Sequence, residues 1–342
     1  MRRATPILLI AAAVASVACQ AAPRTTRAPA VRLGYFPNIT HSQAIIGVAD
    51  GSFRRALADK AELEVRVFNA GPSAIEALFA GQLDLAYVGP NPAINGYCRS
   101  KGRALRVVAG ATSGGAVLVV RSDAGITEPA QFAGRKIASP QLGNTQDVAL
   151  RSWLARQGLE LTERGGTTQV LPVANPDILT LFRRKEIDGA WVPEPWGARL
   201  VHEAGGRLFL DERRLWPDGR FVTAVVVVAT DFLERHPKLV SAWLRAHVEL
   251  TERINADPAA ARLQVNAEIK RLTGQWLPSA ELEDAWSRLT PSYDPMRSSL
   301  VASADAAYRL GFLGDTPPDL SRIYDLTLLN QVLRARGRSP VE

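Results

Sequence analysis

Six short loops of this 342-residue chain carry the residue types that bind small solutes. The loops are rich in Gly and in side chains with neutral hydrogen-bond donors, and several lead directly into segments with helical patterns. The first N–H groups of a helix are unpaired and its N-terminal end is positive, which favours anions. The loops therefore predict an anion site held by amides, hydroxyls and helix termini. The candidate ligand-binding residues are Asn38, Thr40, His41, Gly71, Ser73, Asn91, Ser113, Gly114, Asn144, Thr145, Gln146, Glu194 and Trp196.

Glu194 is the acidic residue of these loops, which contain no Lys or Arg. A carboxylate beside the site would repel a doubly charged anion more strongly than a singly charged one. The sequence therefore favours a monoanion such as a sulfonate or nitrate, or a zwitterion whose amine meets Glu194, over orthophosphate. This inference requires that Glu194 has no Arg partner in the lobe core. Trp196, two residues further on, is either an apolar wall for an alkyl tail or a residue without ligand contact.

Several of these residues have a structural role as an alternative. His41, in the first turn of a predicted helix, would cap or solvate that helix if it did not contact the ligand. Ligand contact is favoured because the loop before it is polar. Asn38 and Asn91 are also typical turn residues. Ser73 and Thr145 start helices, and one hydroxyl can serve both as a helix-start group and as a ligand donor.

The chain contains one pattern twice, in residues 78–92 and 181–195. Each copy has Leu-Phe at the end of a helix, then an Asp, a buried strand and a loop bracketed by Pro. Pro and a Ser or Asp also stand at the start of each of these helices, as first helical turns prefer. Asp84 and Asp188 precede their strands on the side away from the loops, so we interpret both as structural. Two such units predict two similar α/β lobes and a ligand cleft between them.

Strand and helix patterns alternate along the chain up to residue 229, and residues 231–336 are predominantly helical. The alternation predicts mostly parallel sheets with helices on both faces. In open sheets of this kind, ligands bind at the carboxyl ends of the strands. The segments 116–121 and 221–229 are candidates for crossing between the lobes. We expect lobe 1 to comprise residues 31–118 and 224–342, and lobe 2 to comprise residues 119–223.

The N-terminal residues have the pattern of an export signal. Two Arg residues precede an apolar run at 7–17 that is too short to span a bilayer, and small residues then lead to Cys19. Residues 17–19 resemble a bacterial lipobox, so Cys19 is the predicted lipid attachment site. The alternative is an ordinary signal peptide cut near Ala22. We therefore expect a lipoprotein-type signal at 1–19, a flexible tether at 20–30 and an exported protein, periplasmic or on the cell surface, anchored to the membrane by its lipid.

Composition argues against several other classes of protein. The formal net charge is +7, but the basic residues are scattered, whereas a nucleic-acid-binding surface would concentrate them with interleaved aromatic residues. Cys98 is the second of two Cys residues, so no disulfide is expected within the exported part. The sequence shows no Ser-His-Asp order, metal-ligand spacing or phosphate-binding loop, so we expect no catalytic residue, no metal and no cofactor.

The loops together resemble one known family. The resemblance is to the nitrate/sulfonate/taurine group of ABC-transporter substrate-binding proteins, and most of all to its aliphatic-sulfonate branch. It implies an α/β type II periplasmic-binding fold, in which two Rossmann-like lobes are joined by a two-strand hinge and followed by a helical C-terminal part. It also implies a ligand between the lobes. The segments that carry the resemblance are 34–41, 71–73, 87–93, 141–147 and 187–196.

The expected function is therefore capture of a small anionic organic solute, an aliphatic sulfonate or a taurine-like molecule. The resemblance implies a membrane permease and its ATPase as partners, and we expect a monomer. Nitrate, bicarbonate or a pyrimidine are alternative ligands, and ligand sensing without transport is an alternative role. A pyrimidine synthase is related to this family, but the active site of that enzyme is rich in Cys and His. This chain offers Cys98 and four His. We therefore expect no enzymatic activity.

Overall fold

The computed structural model describes residues 29–342, which form a mixed α/β fold. The predicted signal, most of the tether and Cys19 lie outside these residues. The strands are β1 (Ala30–Tyr35), β2 (Glu62–Val67), β3 (Leu85–Val88), β4 (Leu105–Gly114), β5 (Ala116–Arg121), β6 (Lys136–Ser139), β7 (Gln169–Pro172), β8 (Gly189–Pro193), β9 (Gly206–Asp211), β10 (Val222–Ala229) and β11 (Leu289–Pro291). The helices are α1 (Ser42–Ala49), α2 (Ser52–Leu57), α3 (Gly71–Phe79), α4 (Pro90–Arg99), α5 (Thr145–Arg156), α6 (Asn175–Arg183), α7 (Trp196–Ala204), α8 (Thr230–Arg235), α9 (Pro237–Ala256), α10 (Pro258–Thr273), α11 (Ser279–Trp286), α12 (Arg297–Arg309) and α13 (Thr327–Ala335).

The strands form two separate sheets. The first has the order β11-β4-β10-β3-β1-β2 and the second the order β7-β6-β8-β5-β9. Parallel pairing joins β1 to β2 and β3, and β6 to β7 and β8. The strands β10 and β5 pair antiparallel with both of their neighbours. Each sheet is therefore mixed rather than mostly parallel, because β10 and β11 in the first sheet and β5 in the second run against the other strands.

The chain passes between the sheets at two places. The first is Gly115, which separates β4 in the first sheet from β5 in the second. Gly114 and Gly115 have φ angles of +73° and +78°, a conformation that favours glycine. The second connection is formed by residues 212–221. Neither β5 nor β10 crosses, because each pairs within one sheet only. We therefore propose lobe boundaries at residue 115 and just before residue 222, close to those expected from the sequence.

The repeated pattern folds in the same way in both sheets, as α3-β3-α4 and α6-β8-α7. Asp84 Oδ2 accepts the backbone N–H of Arg32 in β1 at 2.8 Å, and Asp188 Oδ2 accepts that of Lys136 in β6 at 2.9 Å. In both cases the strand that follows the Asp pairs parallel with the strand whose backbone N–H the Asp accepts. The structural interpretation of both Asp residues is confirmed.

Each lobe has its own hydrophobic core. In the first, the ring of Phe53 in α2 stacks on Trp243 in α9 with centroids 3.6 Å apart. In the second, Phe132 meets Trp153 edge-on at 5.2 Å, and Trp191 in β8 is fully buried. Within residues 29–342, no helix is both long and apolar enough to cross a membrane.

Candidate functional site

The first turns of α3, α4 and α5 meet between the two sheets. A Cβ built on Gly71 would lie 2.3 Å from Pro92 Cγ and 3.5 Å from Asn144 Oδ1. A Cβ built on Gly89 would lie 2.1 Å from Thr145 Oγ1. No side chain at the N-cap of any of these three helices makes a capping hydrogen bond. Three positive helix ends with unpaired amides therefore converge from both lobes, as the loop pattern predicts.

Thr145 contributes a buried hydroxyl to this junction. Its side chain is 5% exposed, and Oγ1 has no hydrogen-bond partner within residues 29–342. A buried polar atom without a partner costs about 1–3 kcal/mol, so such atoms are uncommon in folded proteins. A ligand oxygen beside Thr145 would satisfy this hydroxyl and would lie within the field of the three helix ends.

His41 is buried and supports the loop before α1. Its Nδ1 accepts the backbone N–H of Phe36 at 3.1 Å, and its ring lies 4.5 Å from that of Phe36. Burial lowers the pKa of His41 to about 3, so the imidazole is neutral at pH 7. With Nδ1 accepting, the ring proton is on Nε2. His41 is therefore able to offer a neutral N–H donor but brings no positive charge to an anion.

The predicted residues around His41 lie at the contact between the lobes. Asn38 Oδ1 accepts the indole N–H of Trp196 at 3.0 Å, which joins the first loop of lobe 1 to the start of α7 in lobe 2. The Arg199 guanidinium covers the other side of that indole, 4.7 Å from its centroid. The backbone oxygen of Thr40 accepts the hydroxyl of Thr112 at 2.7 Å. The side chains of Asn38 and Trp196 therefore have a structural role, and ligand contact by Asn38, Thr40 and Trp196 stays a prediction.

The remaining predicted residues separate into two groups. Ser73 Oγ donates to the oxygen of Ala70 at 2.9 Å, and Asn91 Nδ2 donates to the oxygen of Ser303 in α12 at 3.1 Å. Both side chains therefore stabilise protein structure. Gly71, Asn144 and Thr145 take part in the close contacts at the junction. Gln146, Ser113 and Gly114 are buried, the first next to Thr145 in α5 and the other two at the end of β4. Ligand contact by these six residues stays a prediction.

Glu194 differs from the prediction made for it. Its carboxylate is fully buried, and Oε1 accepts a hydrogen bond from Arg288 Nη1 at 2.7 Å. Oε2 accepts the backbone N–H of Ala198 in the first turn of α7 at 3.0 Å. Burial raises the pKa of Glu194, and the positive charge of Arg288 opposes that rise. Glu194 therefore has an Arg partner, contrary to what the preference for a monoanion required. It gives no reason to prefer a monoanion or a zwitterion.

Two residues that shape the site, Arg288 and Gly89, are not among the site residues predicted from the sequence. Arg288 lies 94 positions after Glu194, just before β11, and no local pattern connects the two. Gly89 lies in the first repeated loop, two positions before the predicted site residue Asn91. Its close approach to Thr145 depends on how the two lobes face each other. Within residues 29–342, no group of three His, Cys, Asp or Glu side chains is arranged to hold a metal ion.

A second buried carboxylate lies near Glu194 on α11. Glu281 is 1% exposed, and neither of its carboxylate oxygens has a partner within the described part of the chain. Burial, with a contribution from the charge of Glu203, raises its pKa from 4.5 to about 7, while Arg199 and His202 on α7 oppose that rise. The folded protein therefore holds a proton on Glu281 at pH values where the unfolded chain has lost it.

This difference makes the stability of the protein depend on pH. Because the pKa is raised in the folded state, the contribution of Glu281 is complete below pH 4.5 and is lost as the pH rises through about 7. The unfolding free energy of the wild-type protein should fall between pH 5 and pH 8. We expect this fall to be about 2 kcal/mol smaller in Glu281→Gln. Urea unfolding at several pH values measures this loss. Glu283→Gln, on the exposed side of α11, is the matched control, and an equal effect of both substitutions would contradict the account.

Comparison with known proteins places the chain in a family. Residues 24–269 match the family model described as the NMT1-like family. The taurine-binding periplasmic protein of Escherichia coli (strain K12) is 26% identical over 215 residues, which are 63% of this chain. The match spans 64% of that relative, less than two thirds of its length.

Solved structures share the fold. The alkanesulfonate-binding protein SsuA from Xanthomonas axonopodis pv. citri, bound to MOPS, has a TM-score of 0.69 at 19% identity, covering 84% of this chain and 96% of that protein. The periplasmic nitrate-binding protein NrtA from Synechocystis PCC 6803 has a TM-score of 0.73 at 16% identity, covering 90% of this chain and 89% of that protein. These likenesses agree with the fold expected from the loops. Because the family model matches well over half of the sequence, the chain belongs to the NMT1-like family.

Proposed function

We propose that this protein is the extracytoplasmic solute-binding component of an ABC importer. It captures a small anionic organic solute, an aliphatic sulfonate or a taurine-like molecule, between its lobes and delivers it to a permease that an ATPase drives. The observation that carries the proposal is the partnerless hydroxyl of Thr145, buried where the first turns of α3, α4 and α5 converge. The names of the taurine- and alkanesulfonate-binding relatives support it.

The junction suits an anion whose charge is spread over several oxygens. Each helix end stabilises a nearby anion by about 0.3–1 kcal/mol when the anion is exposed and by up to ~2 kcal/mol when it is partly buried. A sulfonate has three acceptor oxygens, which can be shared among the hydroxyl of Thr145 and amides from both lobes. The charges of Glu194 and Arg288 cancel each other, so the binding energy comes from oriented dipoles rather than from a cation.

Capture would work by bending at the two connections between the sheets. A ligand that contacts both lobes favours the closed arrangement, because it gains contacts there that the open arrangement lacks. Asn38 and Trp196 already bond across the lobes, and so do Glu194 and Arg288. The closed pair of lobes would form the surface that the permease recognises. We further propose an exported monomer with a lipid on Cys19, a residue outside the described part of the chain.

Thr145→Val tests this function with little change of side-chain shape. Removing a hydroxyl that has no partner should leave the melting temperature of the ligand-free protein unchanged or higher. Wild-type protein should gain ~2.7 kcal/mol of stability at 100 times the dissociation constant of a bound sulfonate, and the variant should lose most of that gain. The measurement is a thermal shift with methanesulfonate, butanesulfonate, taurine, nitrate, bicarbonate and cytosine.

Thr168→Val is the matched control in the same lobe. Thr168 is fully buried, but its hydroxyl donates to the oxygen of Phe132 at 3.0 Å. We expect this substitution to lower the stability of the ligand-free protein by about 1 kcal/mol and to leave the ligand shift intact. The proposal fails if no sulfonate binds, if only nitrate, bicarbonate or cytosine binds, or if Thr145→Val behaves like Thr168→Val.

A further inference from the structure

A cavity of about 240 Å³ lies between the lobes, beside the junction of helix ends. Its walls are α5 from lobe 2, α12 and the start of β10 from lobe 1, and the connection formed by residues 212–221. Thr145 belongs to this lining, so the cavity adjoins the proposed anion site. A water molecule occupies about 30 Å³ in the liquid, so this space corresponds to roughly eight waters. It is far larger than an inorganic anion requires.

One face of α5 lines the cavity over the whole length of the helix. The lining residues Thr145, Val148, Ala149, Ser152 and Arg156 have the spacing of a single helical face. Eleven steps at 1.5 Å each make this face about 16 Å long. The cavity therefore runs from the anion site at the first turn of α5 towards Arg156 at its exposed end.

Eight of the fourteen residues that line the cavity are aliphatic or aromatic. Ala149 on α5 stands among the lining residues with Ala302 and Ala306 of α12. The rings of Trp216 and Phe221 stack with centroids 5.6 Å apart and planes at 11°, and both form a wall that comes from the connection.

The carboxylate and the amide in this lining already have partners. Glu212 accepts the indole N–H of Trp191 at 2.8 Å and that of Trp216 at 3.3 Å. The amide of Asn91 donates to the oxygen of Ser303. These groups therefore hold the walls together, and Arg156 Nη1 donates to Ser152 Oγ at 2.9 Å. With these polar side chains paired, an uncharged chain is the ligand part that this space suits best.

We propose that the solute carries an uncharged organic tail longer than two carbons, with its anionic head at Thr145 and its tail along α5 in this cavity. This inference rests on the proposed function and narrows its ligand class. Burying one methylene contributes about 0.8 kcal/mol, which corresponds to roughly fourfold in affinity for each added carbon. Since the walls come from both lobes, the tail would also favour closure.

The test is calorimetric titration of the full exported chain with methane-, butane-, hexane- and octanesulfonate. Wild-type affinity should rise about threefold to fourfold per methylene until the cavity is filled and then level off. Ala149→Leu and Ala306→Leu fill the cavity from opposite walls. Each should lower the affinity for hexanesulfonate at least ~tenfold, while the affinity for methanesulfonate stays unchanged.

Val301→Leu is the control on the exposed side of α12, where Val301 is 41% exposed, and it should change neither affinity. Melting of each variant without ligand checks that it folds. Equal affinities of the wild-type protein for all four sulfonates would overturn the tail inference. Equal losses of affinity for hexane- and methanesulfonate in both cavity variants would overturn it as well. Either result would leave the proposed function standing. Absence of binding by every sulfonate would overturn the proposed function itself.

Discussion

Arg288→Leu is expected to lower the unfolding free energy by about 3–5 kcal/mol, because it would leave Glu194 buried without its charge partner. Glu194 is fully buried and bonds Arg288 at 2.7 Å. Arg288 also pairs with Asp284 on α11, so its loss leaves two carboxylates near each other. The backbone around the pair belongs to the connection between the sheets, since Gly115 donates to the oxygen of Arg288 and accepts from the N–H of Glu194.

A double variant separates the lost charge partner from lost packing. Arg288→Leu combined with Glu194→Gln removes both charges, and the Gln oxygen can still accept the N–H of Ala198. We expect the double variant to recover most of the stability that the single variant loses, as measured by urea unfolding. Arg235→Leu is the control, because its pair with Asp231 is exposed and should contribute less than about 1 kcal/mol. A loss below that value for Arg288→Leu would show that the buried pair does not stabilise the fold as described.

Gly89→Ala is expected to weaken ligand binding at least ~tenfold, or about 1.4 kcal/mol, while leaving the ligand-free protein folded. The new Cβ would lie 2.1 Å from Thr145 Oγ1 and 3.2 Å from Thr145 Cβ in the opposite lobe. Rotating the Thr145 side chain relieves the first contact, and the second is relieved when the two loops separate by a few tenths of an ångström. Gly89 has an ordinary φ of −69°, so Ala brings no backbone strain of its own.

Gly96→Ala, on the same helix α4, is the control for this substitution. Its Cβ would meet Ile75 and Leu105, which belong to the same lobe. We expect it to lower the melting temperature without changing the affinity for hexanesulfonate, the opposite pattern to that of Gly89→Ala. Calorimetric titration and thermal melting of both variants give the comparison. Wild-type affinity in Gly89→Ala would contradict the view that close approach of Gly89 and Thr145 is part of the bound state.

The sequence predicts the fold well because the information about it is local. The repeat places Asp84 and Asp188 before equivalent strands, and both accept a backbone N–H from the neighbouring parallel strand. The loops that follow the strands lead to helix ends, and three of these ends converge at Gly71, Gly89 and Thr145. Alternation and capping patterns depend on neighbours in the chain, and these are visible in a single sequence.

The electrostatics of the site could not be predicted in the same way. The charge argument depended on whether Glu194 had a partner, and that partner, Arg288, comes from the helical C-terminal part. Likewise, nothing near His41 in the sequence indicates that its ring is buried and neutral. The cavity beside Thr145 depends on how α5 packs against α12, and residues 157–296 lie between these two helices in the sequence. Such contacts are set by tertiary packing rather than by local pattern.

We expect the two lobes to close around a small organic sulfonate, and small-angle scattering measures this closure in solution. The wild-type exported chain is measured without ligand and at saturation with hexanesulfonate, with saturation established by calorimetry. We expect a smaller radius of gyration with ligand than without it, and a smaller decrease in Gly89→Ala at the same ligand concentration. An unchanged radius of gyration for the saturated wild-type protein would contradict this expectation.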